Sequence, residues 1–142
     1  MKKLAIILLA VSLGMYVYAQ KVKSAEVPAV VKEAFQKQFK QTKEVKWEKE
    51  DGKFEVNFEQ NNNEMSAVFT ASGMLEETEI EIKKSELPSA VTSYISQNYK
   101  GAKIKEAAKI TKSNGDVNYE AEVKGNDLIF DTNGNFIKLV KE

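Results

Sequence analysis

Two segments of the chain carry apolar residues at the spacing of an amphipathic helix. The first set is Val27, Val31, Ala34, Phe35 and Phe39, and the second is Leu87, Val91, Tyr94, Ile95 and Tyr99. Because residues three and four apart share one face of a helix, each segment predicts a helix with one apolar side. Pro28 and Pro88 stand at the start of these segments, where the missing N–H of proline has no helical partner to lose.

After each helical segment the apolar period changes to two, which predicts strands. The alternating segments in the first half are Val45–Glu48, Phe54–Glu59, Met65–Phe69 and Leu75–Ile82, and those in the second half are Ile104–Ile110, Tyr119–Val123, Leu128–Phe130 and Phe136–Val140. Short turns such as Asp51-Gly52 and Asn114-Gly115 separate them. Tight turns cannot join parallel strands, so each group of four predicts an antiparallel meander.

The two halves repeat each other in sequence. Glu26-Val27-Pro28-Ala29-Val30 recurs as Glu86-Leu87-Pro88-Ser89-Ala90-Val91, and Thr70-Ala71-Ser72-Gly73 as Asp131-Thr132-Asn133-Gly134. We therefore predict a tandem repeat, over residues 20–83 and 84–142, of one helix plus a four-stranded antiparallel meander. One helix covers one face, so the predicted fold class is α+β, with an extended antiparallel sheet, both helices on one side and the other side open.

The N-terminus predicts export. Lys2 and Lys3 precede an apolar stretch from Leu4 to Ala19, which is the pattern of a secretory signal peptide covering residues 1–19. Cleavage is predicted between Ala19 and Gln20. An uncleaved membrane anchor is the alternative, but the stretch is short for a spanning helix, which needs about 20 apolar residues. The prediction is a periplasmic or secreted protein, with no membrane contact after removal of the signal.

Composition excludes several classes of function. The 142 residues include no His, no Cys and no Arg, with 21 Lys against 21 acidic residues. A catalytic triad, a zinc site or a thiol redox pair therefore lacks its usual residues, and we predict no metal and no cofactor. Nucleic-acid binding is disfavoured because the chain has no net positive charge and no Arg to clamp phosphates. The prediction is a non-enzyme.

The quoted segments resemble a known family. Val45-Lys46-Trp47-Glu48-Lys49, the Phe-x-x-x-Gly turns at Phe69–Gly73 and Phe130–Gly134, and the Leu87-Pro88-Ser89-Ala90-Val91 opening look like the PepSY-like, β-lactamase-inhibitor-like proteins exported by Gram-negative bacteria. The resemblance covers residues 24–140. It implies a tandem α+β fold, a non-catalytic role, and control of exported hydrolases or peptidases.

The face opposite the helices is the predicted site of partner binding. The candidate residues on it are Glu55, Asn57, Ser66 and Val68 in the first repeat and Glu120, Glu122 and Ile129 in the second. Val68 and Ile129 occupy matching positions and are apolar where the alternation allows polar residues. Either they form the centre of a binding patch with a polar rim, or they reflect the β-propensity of branched side chains.

Three other features have two readings each. Trp47 is either an interface residue or core beneath the first helix, and its strand parity with Val45 favours the core. The strand with Glu76, Glu77, Glu79 and Glu81 either binds calcium or forms a solvated face, and the solvated face is favoured. Asp131-Thr132-Asn133-Gly134-Asn135 is either a partial calcium loop or a turn, and the missing acidic ligands favour the turn.

The sequence therefore predicts a binding module that acts on an unidentified exported protein, with an oligomeric state that the sequence leaves open. The alternative is a carrier of a small ligand or a divalent cation that uses the carboxylate-rich strands. An enzyme based on paired carboxylates would need two of them buried in one cleft.

Overall fold

The computed structural model describes residues 19–141, and within this range the protein has two α-helices and nine β-strands. The helices are α1 (Ala29–Gln38) and α2 (Ser89–Asn98). The strands are β1 (Gln20–Val22), β2 (Lys43–Glu50), β3 (Lys53–Gln60), β4 (Asn63–Phe69), β5 (Leu75–Glu81), β6 (Ile104–Lys112), β7 (Val117–Val123), β8 (Asn126–Asp131) and β9 (Phe136–Lys141). The predicted α+β class is confirmed. The predicted signal peptide, apart from Ala19, lies outside the described residues.

The chain forms two compact units, unit 1 up to Thr78 and unit 2 from Glu79. In chain order each unit has a short 3₁₀ turn, a ten-residue helix and then antiparallel strands, and β5 crosses the division. The repeats were predicted to divide after this strand, at residue 83, and that boundary stays a prediction. Likewise, the placement of both helices on one face of a single sheet stays a prediction.

Strand β1 precedes the first helix and was not predicted. It pairs antiparallel with β2, with Gln20 opposite Lys49 and Val22 opposite Trp47. Three residues are too few to show an alternation of apolar and polar side chains, so the sequence carried no signal for this strand.

The core of unit 1 lies between α1 and one face of its strands. Val31 and Phe35, four residues apart, are the buried residues of α1. They pack on side chains of matching strand parity, namely Trp47, Phe54, Val56, Phe58, Ala67 and Phe69. The Phe35 ring meets Trp47 edge-on with 5.5 Å between centroids, and Phe58 at 5.1 Å. Trp47 is 6% exposed, which confirms the prediction that this residue belongs to the core beneath the first helix.

Unit 2 has the same arrangement with smaller residues. Val91 and Ile95 of α2 pack on a strand face formed by Ala107, Ala121, Val123, Leu128 and Phe130. Where unit 1 pairs Trp47 with Val56 across two strands, unit 2 pairs Ala107 with Ala121. Tyr94 adds an aromatic contact to this core, since its ring meets Phe130 edge-on at 5.4 Å.

The first long strand of each unit contains a β-bulge. In unit 1 the register passes from Lys43 opposite Glu59 to Lys46 opposite Asn57, so three residue steps on β2 face two on β3. Glu44, inside this bulge, has φ 52°. In unit 2 the register passes from Ile104 opposite Val123 to Ala107 opposite Ala121, again with one extra residue. Such bulges bend the strand and re-aim its side chains.

A glycine in one turn of each unit contacts the first turn of the helix. Gly73 has φ +85°, and a Cβ built there would lie 2.9 Å from the carbonyl oxygen of Val30. Gly134 has φ +82°, and its Cβ would lie 2.6 Å from the Cβ of Ala90. The repeated Phe-x-x-x-Gly pattern therefore has a packing reason, because only a residue without a side chain lets this turn approach the helix.

We expect Gly134→Ala to lower the free energy of unfolding more than Gly115→Ala does. Both positions have positive φ, but the Cβ at residue 115 would have no atom within 4 Å. Gly115→Ala therefore reports only backbone strain, about 1–2 kcal/mol, whereas Gly134→Ala adds overpacking of about 1–3 kcal/mol. Urea denaturation measures both. Equal losses for the two variants would contradict the contact, and Gly73→Ala against Gly52→Ala repeats the comparison in unit 1.

Candidate functional site

The predicted binding residues of unit 1 lie together on the face opposite α1. Glu55 is directly opposite Val68, and Asn57 is opposite Ser66, on the paired strands β3 and β4. The Asn57 side-chain amide donates to the Glu55 carboxylate over 3.4 Å. Glu55, Ser66 and Val68 are at most 2% exposed, and Asn57 is half-buried.

The predicted residues of unit 2 are arranged in the same way. Glu120 is opposite Ile129, and Glu122 is opposite Asp127, on β7 and β8. Glu122 and Ile129 are buried, and Glu120 is half-buried. Lys105 donates from Nζ to Glu122 Oε1 over 2.7 Å, from a side chain that is itself 60% exposed.

The expectation that this face is open is therefore wrong for Glu55, Ser66, Val68, Glu122 and Ile129. Alternation reports the side of the sheet on which a side chain lies, and the register bears this out. It does not report how well that side is covered. These residues lie on β3, β4, β7 and β8, each of which has a strand on both sides, so neighbouring side chains help to exclude water from them. Their role in partner binding stays a prediction.

Asp127 and Lys105 were missed by the sequence analysis. Asp127 is 2% exposed and lies directly opposite Glu122, so two carboxylates are buried on adjacent strands. The ion pair with Lys105 balances the charge of Glu122, which fits a structural carboxylate better than a proton donor in catalysis. The sequence did contain a signal for Asp127. This residue matches Ser66 in the repeat, and the match places Asp127 on the face opposite the helix.

A groove of about 640 Å³ in unit 1 reaches this face. Its lining is Lys21, Val22, Ser24, Glu44, Val45, Lys46, Trp47, Glu48, Asn57, Phe58, Glu59, Glu64 and Met65, and we call it the unit 1 groove. Trp47, Phe58 and Met65 belong to the core beneath α1. The residues that alternate with these three along the strands, such as Lys46, Glu48 and Asn57, point to the face of the sheet opposite α1. Through these residues the groove extends to that face.

The charges of the unit 1 groove are mostly acidic. The lining contains four glutamates and two lysines. Lys46 lies 3.8 Å from Glu44, but both side chains are more than half exposed, so this pair contributes little stability. The lining of the groove therefore carries a net negative charge.

Two glutamates of the groove face each other across a strand pair. Glu59 on β3 is directly opposite Glu64 on β4, an arrangement that is unfavourable because the like charges repel. Lys43 lies opposite Glu59 on the other side, on β2. Even so, neither glutamate forms an ion pair with any of residues 19–141. A cation bound between them would relieve the repulsion.

Asn57 lines the groove, but its Oδ1 atom is shielded from solvent and accepts no hydrogen bond from the described part of the chain. A buried polar atom without a partner costs free energy. The acceptors that the groove offers to a ligand are therefore its carboxylates, which suit a cationic N–H donor.

Acidic residues also crowd the end of β2 next to this face. Burial raises the pKa of Glu50, and the negative charges of Asp51 and Glu48 raise it further. Glu50 and Glu48 share strand parity with Lys46, a groove residue on β2. Burial is the largest cause of the raised pKa of Glu50, and the neighbouring negative charges add to it.

The acidic residues of strand β5 were predicted to form a solvated face. This prediction does not hold at every position. Glu81 is exposed, but Glu79 is only 1% exposed. A buried carboxylate persists when it is paired, and Glu79 does have interaction partners. Glu76 forms an ion pair with Lys53 at 2.6 Å. Across residues 19–141 no group of three or more acidic side chains is placed to hold a metal ion.

The Asp131–Asn135 segment is a turn closed by its own carboxylate. Asp131 Oδ1 accepts from the backbone N–H groups of Asn133 and Asn135, both at 2.9 Å, and Oδ2 accepts from the Asn135 side chain at 2.8 Å. The interpretation of Asp131–Asn135 as a turn accounts for all of these hydrogen bonds. The hydrogen bond from the Asn135 side chain is the largest cause that lowers the pKa of Asp131, followed by the backbone donors.

Comparison with known proteins identifies the class of fold and then the family. A family profile described as "Putative beta-lactamase-inhibitor-like, PepSY-like" matches residues 15–75 and again residues 61–138. The chain therefore belongs to the PepSY-like family. A sequence search of curated proteins found no match. Residues 19–141 contain no helix with the length and hydropathy needed to cross a membrane.

Solved structures show the same fold. A protein from Bacteroides eggerthii that is described as "putative periplasmic" is 13% identical, with a TM-score of 0.71, over 80% of this chain and 87% of that one. A DUF2874 family protein from Bacteroides uniformis is 18% identical, with a TM-score of 0.69, over 79% and 87%. A BLIP-like protein from Bacteroides fragilis is 18% identical, with a TM-score of 0.62, over 79% and 84%. BLIP-like here means similar to the β-lactamase inhibitor protein.

We expect the Asp131 carboxyl to titrate below its ordinary pKa of about 3.9, as followed by NMR of its carboxyl carbon. A lowered pKa in the folded state stabilises the fold above the unfolded-state value, and this contribution is lost as the pH falls through the folded-state pKa. Asn135→Ala should move the pKa back towards its ordinary value, because the largest cause is removed. Asn133→Ala is the control, since only its backbone donates. An unchanged pKa in Asn135→Ala would contradict this account.

Proposed function

We propose that this protein is an exported, non-catalytic binding module that accepts a basic side chain of another exported protein in the unit 1 groove. The observation that carries the proposal is the Glu59–Glu64 pair, in which like charges face each other in the lining of the groove. Family membership supports a BLIP-like module, and a non-catalytic role fits that fold.

Export is part of the proposal. The apolar N-terminal stretch after Lys2 and Lys3 has the pattern of a signal peptide. A structural relative from Bacteroides eggerthii is described as periplasmic. The absence of Cys agrees with either side of the outer membrane, because the fold then depends on its core and not on a redox compartment.

The groove is large enough for one side chain with its flanking peptide. A partner's Arg or Lys would place its charge between Glu59 and Glu64. Glu48 lies in the same lining and adds a further acceptor. Binding would then release the repulsion that the free protein carries, so the partner is recognised by charge and donor geometry together.

Inhibition of an exported hydrolase or peptidase is the finer form of the proposal. The support is the relative from Bacteroides fragilis that is described as BLIP-like. A module of this kind would act by covering a basic surface of its target, without a chemical step of its own.

A second candidate function is that of a small-ligand or divalent-cation carrier. The groove volume of about 640 Å³ is the observation that favours it, because small-molecule sites in proteins are typically about 300–1,000 Å³. The same carboxylates would then bind an organic cation or calcium. The two candidates differ in whether a flanking peptide contributes to affinity.

We expect a peptide with one Arg between apolar residues to bind, and its citrulline analogue to bind about ten-fold more weakly, as measured by calorimetry. Citrulline keeps the shape of the side chain and removes its charge. Glu64→Gln and Glu59→Gln should each weaken binding of the Arg peptide about 3–10-fold. Each should also leave the free energy of unfolding unchanged or raise it by a few tenths of a kcal/mol, because the repulsion is gone.

Glu33→Gln on the exposed side of α1 is the matched control, since it removes one negative charge outside the groove. Equal binding of the Arg and citrulline peptides, or equal weakening by Glu33→Gln and Glu64→Gln, would contradict the proposal. Calcium titrated into the same protein tests the second candidate. Heat of binding with a rise in melting temperature would favour the carrier.

A further inference from the structure

Strand β1 begins at the residue that removal of the predicted signal peptide makes the N-terminus. Cleavage between Ala19 and Gln20 leaves Gln20 as the first residue of the mature chain, and Gln20 is also the first residue of β1. Its side chain is exposed, so neighbouring residues leave it room to move. On this prediction the mature protein starts with a glutamine whose α-amino group and side-chain amide are both accessible.

A glutamine at the N-terminus of a chain can cyclise to pyroglutamate. The α-amino nitrogen attacks the side-chain carbonyl carbon Cδ, an N–Cδ bond forms, and the Cδ–Nε2 bond breaks. Nε2 leaves as ammonia with a proton from the α-amino group, so the atoms and charges balance without any other reactant. The attack is intramolecular and closes a five-membered ring, which favours it. The α-amino group has an ordinary pKa of about 7.7–8.0, so part of it is neutral near neutral pH.

The ring is compatible with the place of Gln20 in β1. Register puts Gln20 opposite Lys49 of β2. A lactam nitrogen keeps one N–H, as in the interior of any strand, whereas an uncyclised α-amino group becomes a charged ammonium. Because the Gln20 side chain is exposed, the ring closes without displacing a core residue. Cyclisation therefore leaves the pairing of β1 with β2 in place.

Strand β1 is open to digestion from the end of the chain. It has three residues and pairs with β2 alone in the strand order of residues 19–141. Short terminal segments of this kind open at little cost in free energy. Aminopeptidases recognise the charged α-amino group, and a lactam removes that charge. A cyclised Gln20 would therefore block digestion at its first step.

Loss of β1 would damage the unit 1 groove. Lys21 and Val22 line the groove, and Val22 packs against the core beneath α1. Val22 also lies opposite Trp47, which is 6% exposed with β1 in place. Removal of residues 20–22 would thus open one wall of the groove and uncover part of the core. A cap on Gln20 preserves both.

We propose that residue 20 of the mature protein is pyroglutamate, formed by cyclisation of Gln20 after the signal peptide is removed, and that this cap protects β1 from aminopeptidases. The inference rests on the export proposed above and on cleavage before Gln20. It does not depend on which ligand the unit 1 groove accepts. The lactam is made from the atoms of one residue, so the modification needs no second substrate.

The test expresses the full 142-residue chain in a Gram-negative host, and the protein is purified from the periplasm and incubated at neutral pH. Its intact mass should equal that of residues 20–142 less one molecule of ammonia. Fragmentation of the N-terminal peptide in the mass spectrometer should place the loss at residue 20. Digestion of the denatured protein with pyroglutamyl aminopeptidase should then remove one residue and expose the α-amino group of Lys21.

Gln20→Ala has no side-chain amide at the N-terminus and should keep the full mass of its residues 20–142. Gln36→Ala is the matched control, because it removes an exposed glutamine of α1 whose nitrogen is in a peptide bond. This variant should still lose ammonia at residue 20. A broad-specificity aminopeptidase should trim native Gln20→Ala through Val22 at least about ten-fold faster than the unchanged protein. The melting temperature of the trimmed protein should fall.

The measured mass separates the ways in which the inference could fail. An uncyclised Gln20 at the N-terminus would overturn the inference and leave the proposed export standing. A mature chain that starts at another residue would overturn both the inference and the predicted cleavage position. The mass of all 142 residues would contradict export as well. Equal trimming of the unchanged protein and of Gln20→Ala would overturn the protective role of the cap.

Discussion

The small size of the helix is the constraint on which each unit depends. Ten residues of α-helix are about 15 Å long and about 10 Å wide, and this single element supplies the apolar cover for several strands. In unit 1 a single helical side chain covers several strands, because the Phe35 ring contacts aromatic residues from three of them. The helix must sit at one fixed place, and the turn glycines at Gly73 and Gly134 bring a turn directly against its first residues. Beyond the reach of the helix, apolar side chains such as Leu139 stay partly exposed.

The face away from the helix shows how one backbone can solve the same problem in two ways. Asn57 of unit 1 and Glu122 of unit 2 occupy matching positions in the repeat, and their cross-strand partners are Ser66 and Asp127. Unit 1 places an amide and a hydroxyl there. These groups are neutral, so burying them costs less free energy than burying carboxylates. Unit 2 places two carboxylates there and balances Glu122 with Lys105. A buried charge without such a partner would be far more costly than an amide. The repeats therefore share a fold but not a surface, which agrees with separate binding properties for each unit.

The sequence predicted the elements of this fold better than it predicted their surroundings. Periodicity located both helices and the strands after them, because the spacing of apolar residues follows directly from helix and strand geometry. It also placed Trp47 beneath α1. Burial of Val68 was not predictable in this way, since alternation fixes the side of a sheet and not what covers that side. The bulge near Glu44 was missed for a related reason: one extra residue shifts the register without leaving a pattern in the sequence. Glu59 and Glu64 are unremarkable as sequence, and only their register shows that they face each other.

The groove proposed for recognition lies at the margin of unit 1 and not at its centre. The central residues of the open face, such as Val68 and Ile129, are buried and closely packed, so they form a rigid support that a partner does not have to order. Rigid support lowers the entropic cost of binding. The unit 1 groove and the edge of β9 lie at the periphery, where strands end or lack a neighbour and where unfavourable features remain: repulsion between like charges in one case, exposed apolar surface and a free backbone edge in the other. Each feature costs the free protein some stability. In the function proposed above, a cationic side chain relieves the repulsion between Glu59 and Glu64.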